Sequence, residues 1–156
     1  MKNFKIETSK VVSAYNVLST AKYGKLDDAD KIKVWKIARA LKPVATKFEE
    51  DNKDAAEKMK PEGFDEKLQN AQEYERVVKN PNEDASNLKM GAAEYEKFIS
   101  ELKSYNKLVG DAVREYAEKE CEISFEQISE DSFGKLMSSN DWTMEQVMQL
   151  GIIIQD

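Results

Sequence analysis

Histidine is absent from the chain, cysteine occurs once, and arginine occurs only at Arg39, Arg76 and Arg114. Each shortage closes off a class of chemistry. Without histidine there is no imidazole general base and no imidazole metal ligand. Neither a Ser-His nor a Cys-His nucleophile can be assembled within the chain. Cys121 has no second cysteine to pair with, so nothing calls for an oxidising compartment. Scarce arginine leaves few planar forks for binding phosphate or carboxylate. No glycine-rich phosphate loop occurs, neither GxxxxGK[ST] nor GxGxxG after a strand. Long apolar runs are missing as well. The longest, Ile152-Ile153-Ile154, is far too short to span a bilayer, and Met1–Thr8 lacks the uninterrupted apolar core of a secretory signal. These features predict a cytoplasmic protein with no membrane partner.

Charge is what the chain has in quantity. Acidic and basic residues make up 35% of it and leave a net charge of -6. An acidic balance disfavours nucleic acid as a partner, because neutralising phosphates needs a basic surface. The exception is a local strip of lysines, Lys31, Lys33, Lys36, Lys42 and Lys47.

Apolar residues recur in two places at alternating three- and four-residue steps. The first stripe passes through Val34, Ala38, Leu41, Ala45, Phe48, Asn52, Ala55 and Met59. The second passes through Leu88, Ala92, Tyr95, Ile99, Leu102, Asn106, Val109, Val113 and Tyr116. Such spacing lines one helix face, and its repetition is the seam of a coiled-coil-like pair. The spacing predicts one long helix from Leu26–Asp30 to about Met59, and another from Asp84 or Ser86 to about Lys119. Together they form a long antiparallel hairpin. Pro43 predicts a bend near Ala40 or Leu41. Gly91 and Gly110 fall inside the second long helix, where each marks either a close helix approach or a tolerated surface position. Asn52 and Asn106 put polar groups into the seams. A breaker-rich segment separates the stripes, with a short helix from Phe64 to Val78 that turns Leu68, Ala71, Val77 and Val78 inward.

The two ends of the chain read differently. Asn3–Thr8 alternates polar and apolar residues, as does Cys121–Phe125, so Phe4 and Ile6 are expected to pair with Ile123 and Phe125 in a two-stranded ribbon. Thr8 or Ser9 caps a first helix reaching about Ala21, with Val11, Ala14, Tyr15 and Leu18 inward and Gly24 as a left-handed stop. Ser129–Asp131 caps a helix with Phe133, Leu136 and Met137 inward. Thr143 and Gln146 have capping-box spacing before a last helix carrying Met144, Val147, Met148, Leu150 and Ile152, with Trp142 as a hydrophobic staple on Val147. The fold class is mainly α, α+β at most. Residues 1–156 read as a single domain, with a base from 1–26 and 120–156 and an arm from 27–119 that carries a tip insert at 60–84.

Several clusters could carry chemistry. Asp27-Asp28-Ala29-Asp30 has the composition of a calcium loop but lacks its glycine and distal glutamate, so a helix-start cluster is the preferred reading. Glu49-Glu50-Asp51 and Glu115, Glu118 and Glu120 are dense carboxylate runs, without the Glu-x-x-His motif of a di-metal bundle. No metal and no cofactor is expected. Cys121 lies between Glu120 and Glu122, which should raise its pKa and make it unreactive. Met137, Met144 and Met148 are either core filling or an adaptable binding patch. Tyr95, Tyr105 and Tyr116 either pack the seam or mark a surface for another chain. The candidate interface residues are therefore Tyr95, Tyr105, Tyr116, Met144 and Met148, and no residue is a candidate catalyst.

The layout VVSAYNVLSTAKYGKL, then KIKVWKIARALKPVATKFEED, then a second long helix and the ending EISFEQISEDSFGKLMSSNDWTMEQVMQLGIIIQD, resembles a group of small bacteriophage and prophage proteins without an assigned activity. The likeness covers nearly the whole chain but rests on patterning, and the polar insert Pro61–Asn82 departs from it. It implies a phage or mobile-element origin, in host cytoplasm or virion, and transfers no functional residue. The sequence thus predicts a non-enzymatic interaction or assembly protein that works through helical surfaces, with a protein partner or its own copy. The alternative is an accessory protein binding nucleic acid or a small ligand through the lysine strip.

Overall fold

Alternation at the two ends produces the only sheet among the described residues. The computed structural model describes residues 1–155. Its elements in order are β1 (Lys2–Glu7), α1 (Thr8–Leu18), α2 (Asp28–Met59), α3 (Phe64–Lys79), α4 (Ala92–Glu118), β2 (Glu120–Phe125), α5 (Glu130–Ser138), α6 (Met144–Gln149) and a 3-10 turn at Gly151–Ile153. The fold is mainly α with a two-stranded antiparallel ribbon, as the patterning predicts. In that ribbon Phe4 faces Ile123 and Ile6 faces Cys121. The Phe4 ring stacks diagonally on Phe125 at 4.6 Å, one of the cross-strand pairs that stabilise a sheet. No helix among the described residues is long and apolar enough to cross a membrane.

The chain divides into two compact units, a terminal unit of Met1–Asp51 with Arg114–Asp156 and a middle unit of Asn52–Val113. These boundaries differ from the expected base and arm. The terminal unit takes α2 as far as Asp51 and α4 from Arg114 onward.

In the terminal unit, Val11, Ala14 and Leu18 of α1 meet Val34, Ile37 and Leu41 of α2, Ile123 and Phe125 of β2, and Phe133 and Leu136 of α5. Ile37, Leu41, Ile128, Leu136, Leu150 and Ile153 are fully buried, each contributing about 1.5–3 kcal/mol of hydrophobic stabilisation. The end of the chain returns as an extended segment. Ile128 bridges Ile154 in parallel, and the Ile128 N–H donates to the Ile153 carbonyl at 2.9 Å. The buried Gln127 side-chain amide donates to the carbonyls of Ile152 and Ile154, at 3.0 and 2.6 Å. Trp142 and Val147 both pack on this core, and the Thr143–Gln146 capping box forms as read from the sequence.

The middle unit has a smaller core of Phe64, Ala71, Met90 and Phe98, flanked by Leu68, Tyr95, Leu102 and Tyr105. Phe64 holds it together, with its ring 5.7 Å from Phe98 and 4.7 Å from Tyr105. Gly63, before α3, is the one position among the described residues whose backbone needs glycine: its φ is 68°, in the left-handed region. Within this unit the Tyr105 hydroxyl donates to the Ala56 carbonyl of α2 at 2.9 Å.

Several expectations change. α1 stops at Leu18, and Gly24 is not left-handed, since Gly63 alone among the described residues has positive φ. Thr8 does not cap α1. Its N–H and hydroxyl both donate to the Lys119 carbonyl, tying the start of α1 to the end of α4. α4 starts at Ala92, because Asp84 instead accepts from the N–H and hydroxyl of Ser86 in a local turn, which leaves Leu88 and Gly91 before the helix. α2 continues through Pro43, which lies on its exposed flank and offers no N–H to the Arg39 carbonyl. Gly110 has open space where a Cβ would sit, so no close approach explains it. Among the described residues of α4 only Phe98 is buried, so the working seam keeps the expected Tyr95 and Leu102 but uses Phe98 and Tyr105 in place of Ile99 and Asn106. Asn106 is exposed, whereas Asn52 buries its Oδ1. Val78 and Met137 point outward, not into the core.

Candidate functional site

The acidic residues at the start of α2 are taken up by local structure. Asp27 Oδ1 accepts from the Asp30 N–H at 2.9 Å as an N-cap, Asp28 pairs with Lys31 at 3.2 Å, and Asp30 accepts from the Ser132 hydroxyl of α5. Among the described residues no group of three or more His, Cys, Asp or Glu side chains is placed to hold a metal ion.

Cys121 is half-buried and its Sγ donates to the Ile6 carbonyl at 3.4 Å. Burial pushes its thiol pKa up, against a lowering by the Thr8 side chain. The direction agrees with the sequence reading, but the cause is different: desolvation acts, while Glu120 pairs with Lys5 at 3.0 Å. The thiol lines a cavity of about 210 Å³ with Val44, Phe48 and Tyr116, beside the Lys47–Asp51 ion pair.

The five candidate interface residues are divided between the two units. Tyr95 and Tyr105 belong to the middle unit. Tyr95 stacks on Tyr74 at 4.6 Å and donates to Glu75, a bond that holds the phenol proton and pushes its pKa up. Tyr105 is committed to Phe64 and Ala56. Tyr116, in the terminal unit, lines the Cys121 cavity. Met144 and Met148 lie one turn apart on α6, and each is 74% exposed. Met148 also borders a depression of about 320 Å³ with Ser9, Lys10 and Ser13 of α1 and Ile152.

The lysine strip is largely neutralised. Lys31, Lys33 and Lys47 pair with Asp28, Glu126 and Asp51, at 3.2, 3.1 and 2.8 Å. The positive charge left along this part of α2 is carried by Lys36, Arg39 and Lys42, which form no ion pair among the described residues.

Arg39 and Lys42 border a groove of about 390 Å³ that the sequence reading passed over. α1 contributes Tyr15 and Leu18, the following loop Ala21 and Tyr23, and α2 Val34, Trp35 and Ala38. Trp35 is 57% exposed and Tyr23 49%. The Arg39 guanidinium sits 5.3 Å from the Trp35 ring centre, a cation–π contact one helical turn apart. The loop bearing Tyr23 is fixed on both sides. Asn140 accepts from the Lys22 N–H at 2.7 Å and donates to the Lys22 carbonyl at 2.6 Å, and Leu26 is buried. Lys25 adds a bond to the Ser138 carbonyl at 2.8 Å. One signal for this groove was present in the sequence: Trp35 stands off the buried stripe of α2, with Arg39 four residues on. Comparison with known proteins finds no match, neither a family model nor a curated protein nor a solved structure.

Proposed function

We propose that the protein is a non-enzymatic interaction protein that binds a protein partner, or a second copy, through helical surfaces of its terminal unit. The observation that carries this reading is the Met144–Met148 pair. Both residues are 74% exposed on a helix whose start is locked by a capping box. Unbranched, polarizable methionines on a firm helix suit an adaptable apolar contact with another helix. A non-enzymatic role is supported by the missing imidazole and by the use of the Asp27–Asp30 carboxylates as cap and bonding partners. Nucleic-acid binding is the weaker reading, because Lys31, Lys33 and Lys47 spend their charge on neighbouring carboxylates. A cytoplasmic or virion setting, and a mobile-element origin, rest on the sequence pattern alone; virion genes beside this one would favour assembly.

The test compares the wild-type protein with a double M144K/M148K variant by light scattering at micromolar concentration and by affinity capture from cell extract. Self-association or a captured protein that the double variant loses is the expected result. A strict monomer that captures nothing, or a partner retained unchanged by the variant, overturns the reading.

A further inference from the structure

We infer that the groove between α1 and α2 is a second binding site, made for a short acidic peptide segment that carries an aromatic or large aliphatic side chain between its carboxylates. It shares no residue with the α6 surface, so either can fail without the other. Three features of the groove point to this occupant. The groove is lined by apolar Leu18, Ala21, Val34 and Ala38 and by three rings, the partly buried Tyr15 and the exposed Tyr23 and Trp35. Trp, Tyr and Arg are the side chains that most often dominate binding energy at interfaces. The volume, about 390 Å³, falls within the range of sites that enclose a small group or a few residues.

The charge specifies the partner further. Arg39 and Lys42 are positive groups without an ion-pair partner among the described residues, at the edge of an aromatic surface. An incoming carboxylate would meet two cations already in place. A nucleic-acid strand fits less well. It needs a basic track along its backbone, and the flanking Lys31, Lys33 and Lys47 are paired to Asp28, Glu126 and Asp51. One face of Trp35 is also occupied by the Arg39 guanidinium. A net charge of -6 opposes a long polyanion more than a peptide with a few carboxylates.

The site is also preorganised. Tyr23 sits on a loop held by two bonds between Lys22 and Asn140 and by the buried Leu26, so binding orders little additional chain.

The experiment is isothermal titration of the full chain at physiological salt with three probes. They are an acetylated peptide Glu-Asp-Leu-Phe-Asp-Glu, its amide counterpart Gln-Asn-Leu-Phe-Asn-Gln, and a dT oligonucleotide. The acidic peptide should bind, and the amide peptide should bind about tenfold more weakly. Arg39→Ala and Lys42→Ala should each weaken the acidic peptide by about fivefold, and Trp35→Ala by about thirtyfold or more. All three side chains are on the surface, so circular dichroism and melting temperature should stay unchanged. Asn140→Ala, which removes the two bonds holding Lys22 beside Tyr23, should weaken binding without touching the peptide. Equal binding of the acidic and amide peptides overturns the inference. So does no binding of the acidic peptide, indifference to the Arg39 and Lys42 substitutions, or tighter binding of the oligonucleotide.

Discussion

Asn52 is the one residue among those described whose side chain buries a polar atom without a partner. Its Oδ1 is buried and has no hydrogen-bond partner. A buried acceptor left unpaired costs about 1–3 kcal/mol, whereas an apolar side chain at the same place loses nothing. Asn52→Leu is therefore expected to raise stability by about 1 kcal/mol, read as a higher urea midpoint at unchanged slope. A lower midpoint would show that the amide is held by a group not seen in this arrangement. Tyr95 and Tyr105 teach the complementary lesson. Tyrosine is common at interfaces, but here both hydroxyls find partners inside the middle unit. The residue type alone therefore did not distinguish surface from seam.

At the scale of elements, the final segment shows how one side chain can hold a whole tail. Gln127 gives its amide to two carbonyls, Ile152 and Ile154, while the Gln155 N–H donates to the Ile128 carbonyl at 2.9 Å. Gln127→Ala leaves both carbonyls short of a donor at a nearly buried site. It is expected to cost about 1–3 kcal/mol by chemical denaturation, with faster amide exchange at Ile128 and Gln155. Unchanged exchange there would mean that the parallel bridge holds without it. None of this tail architecture was legible, since a three-isoleucine run says nothing about where it docks. Local signals were read correctly. The alternation of Phe4 and Ile6 with Ile123 and Phe125 gave the ribbon, and Thr143 with Gln146 gave the capping box. The start of α4 was misread because Asp84, Ser86 and Leu88 fit a helix pattern, yet the Asp84 carboxylate satisfies local donors more cheaply in a turn. The stripe on α4 was right at Tyr95 and Leu102 but took Ile99 for Phe98, because the two are equally apolar and only packing against Phe64 chooses between them. Trp35 escaped attention for a related reason. Stripes reward residues that repeat, and a groove is built from residues that do not.

At the scale of the molecule, the two units differ in how much apolar surface they bury. The middle unit relies on Ala55, Phe64, Ala71, Val77, Met90 and Phe98, with small alanines among them. The terminal unit buries Leu, Ile, Val and Phe side chains from α1, α2, β2, α5 and the final turn. Burial scales with stabilisation, so the middle unit should open first. Native-state hydrogen exchange should show the amides of α3 and of Tyr95–Tyr105 exchanging at lower denaturant than those of α1 and α5. A single common transition would instead mean that the whole chain unfolds as one cooperative body.

The middle unit is one unbroken stretch of chain, while the terminal unit is made from both sides of it. This has a consequence during synthesis. A nascent chain that has reached Val113 carries all of the residues for the middle core. It carries only the α1 and α2 half of the terminal core, with Val11, Ile37 and Leu41 still waiting for Ile128, Leu136 and Leu150. β1 likewise has no partner strand until Phe125 has emerged. Long-range closure of this kind is slow, and half-made cores are prone to aggregation. The early helices must therefore stay apart from other chains until the stretch from Arg114 to Ile153 has left the ribosome.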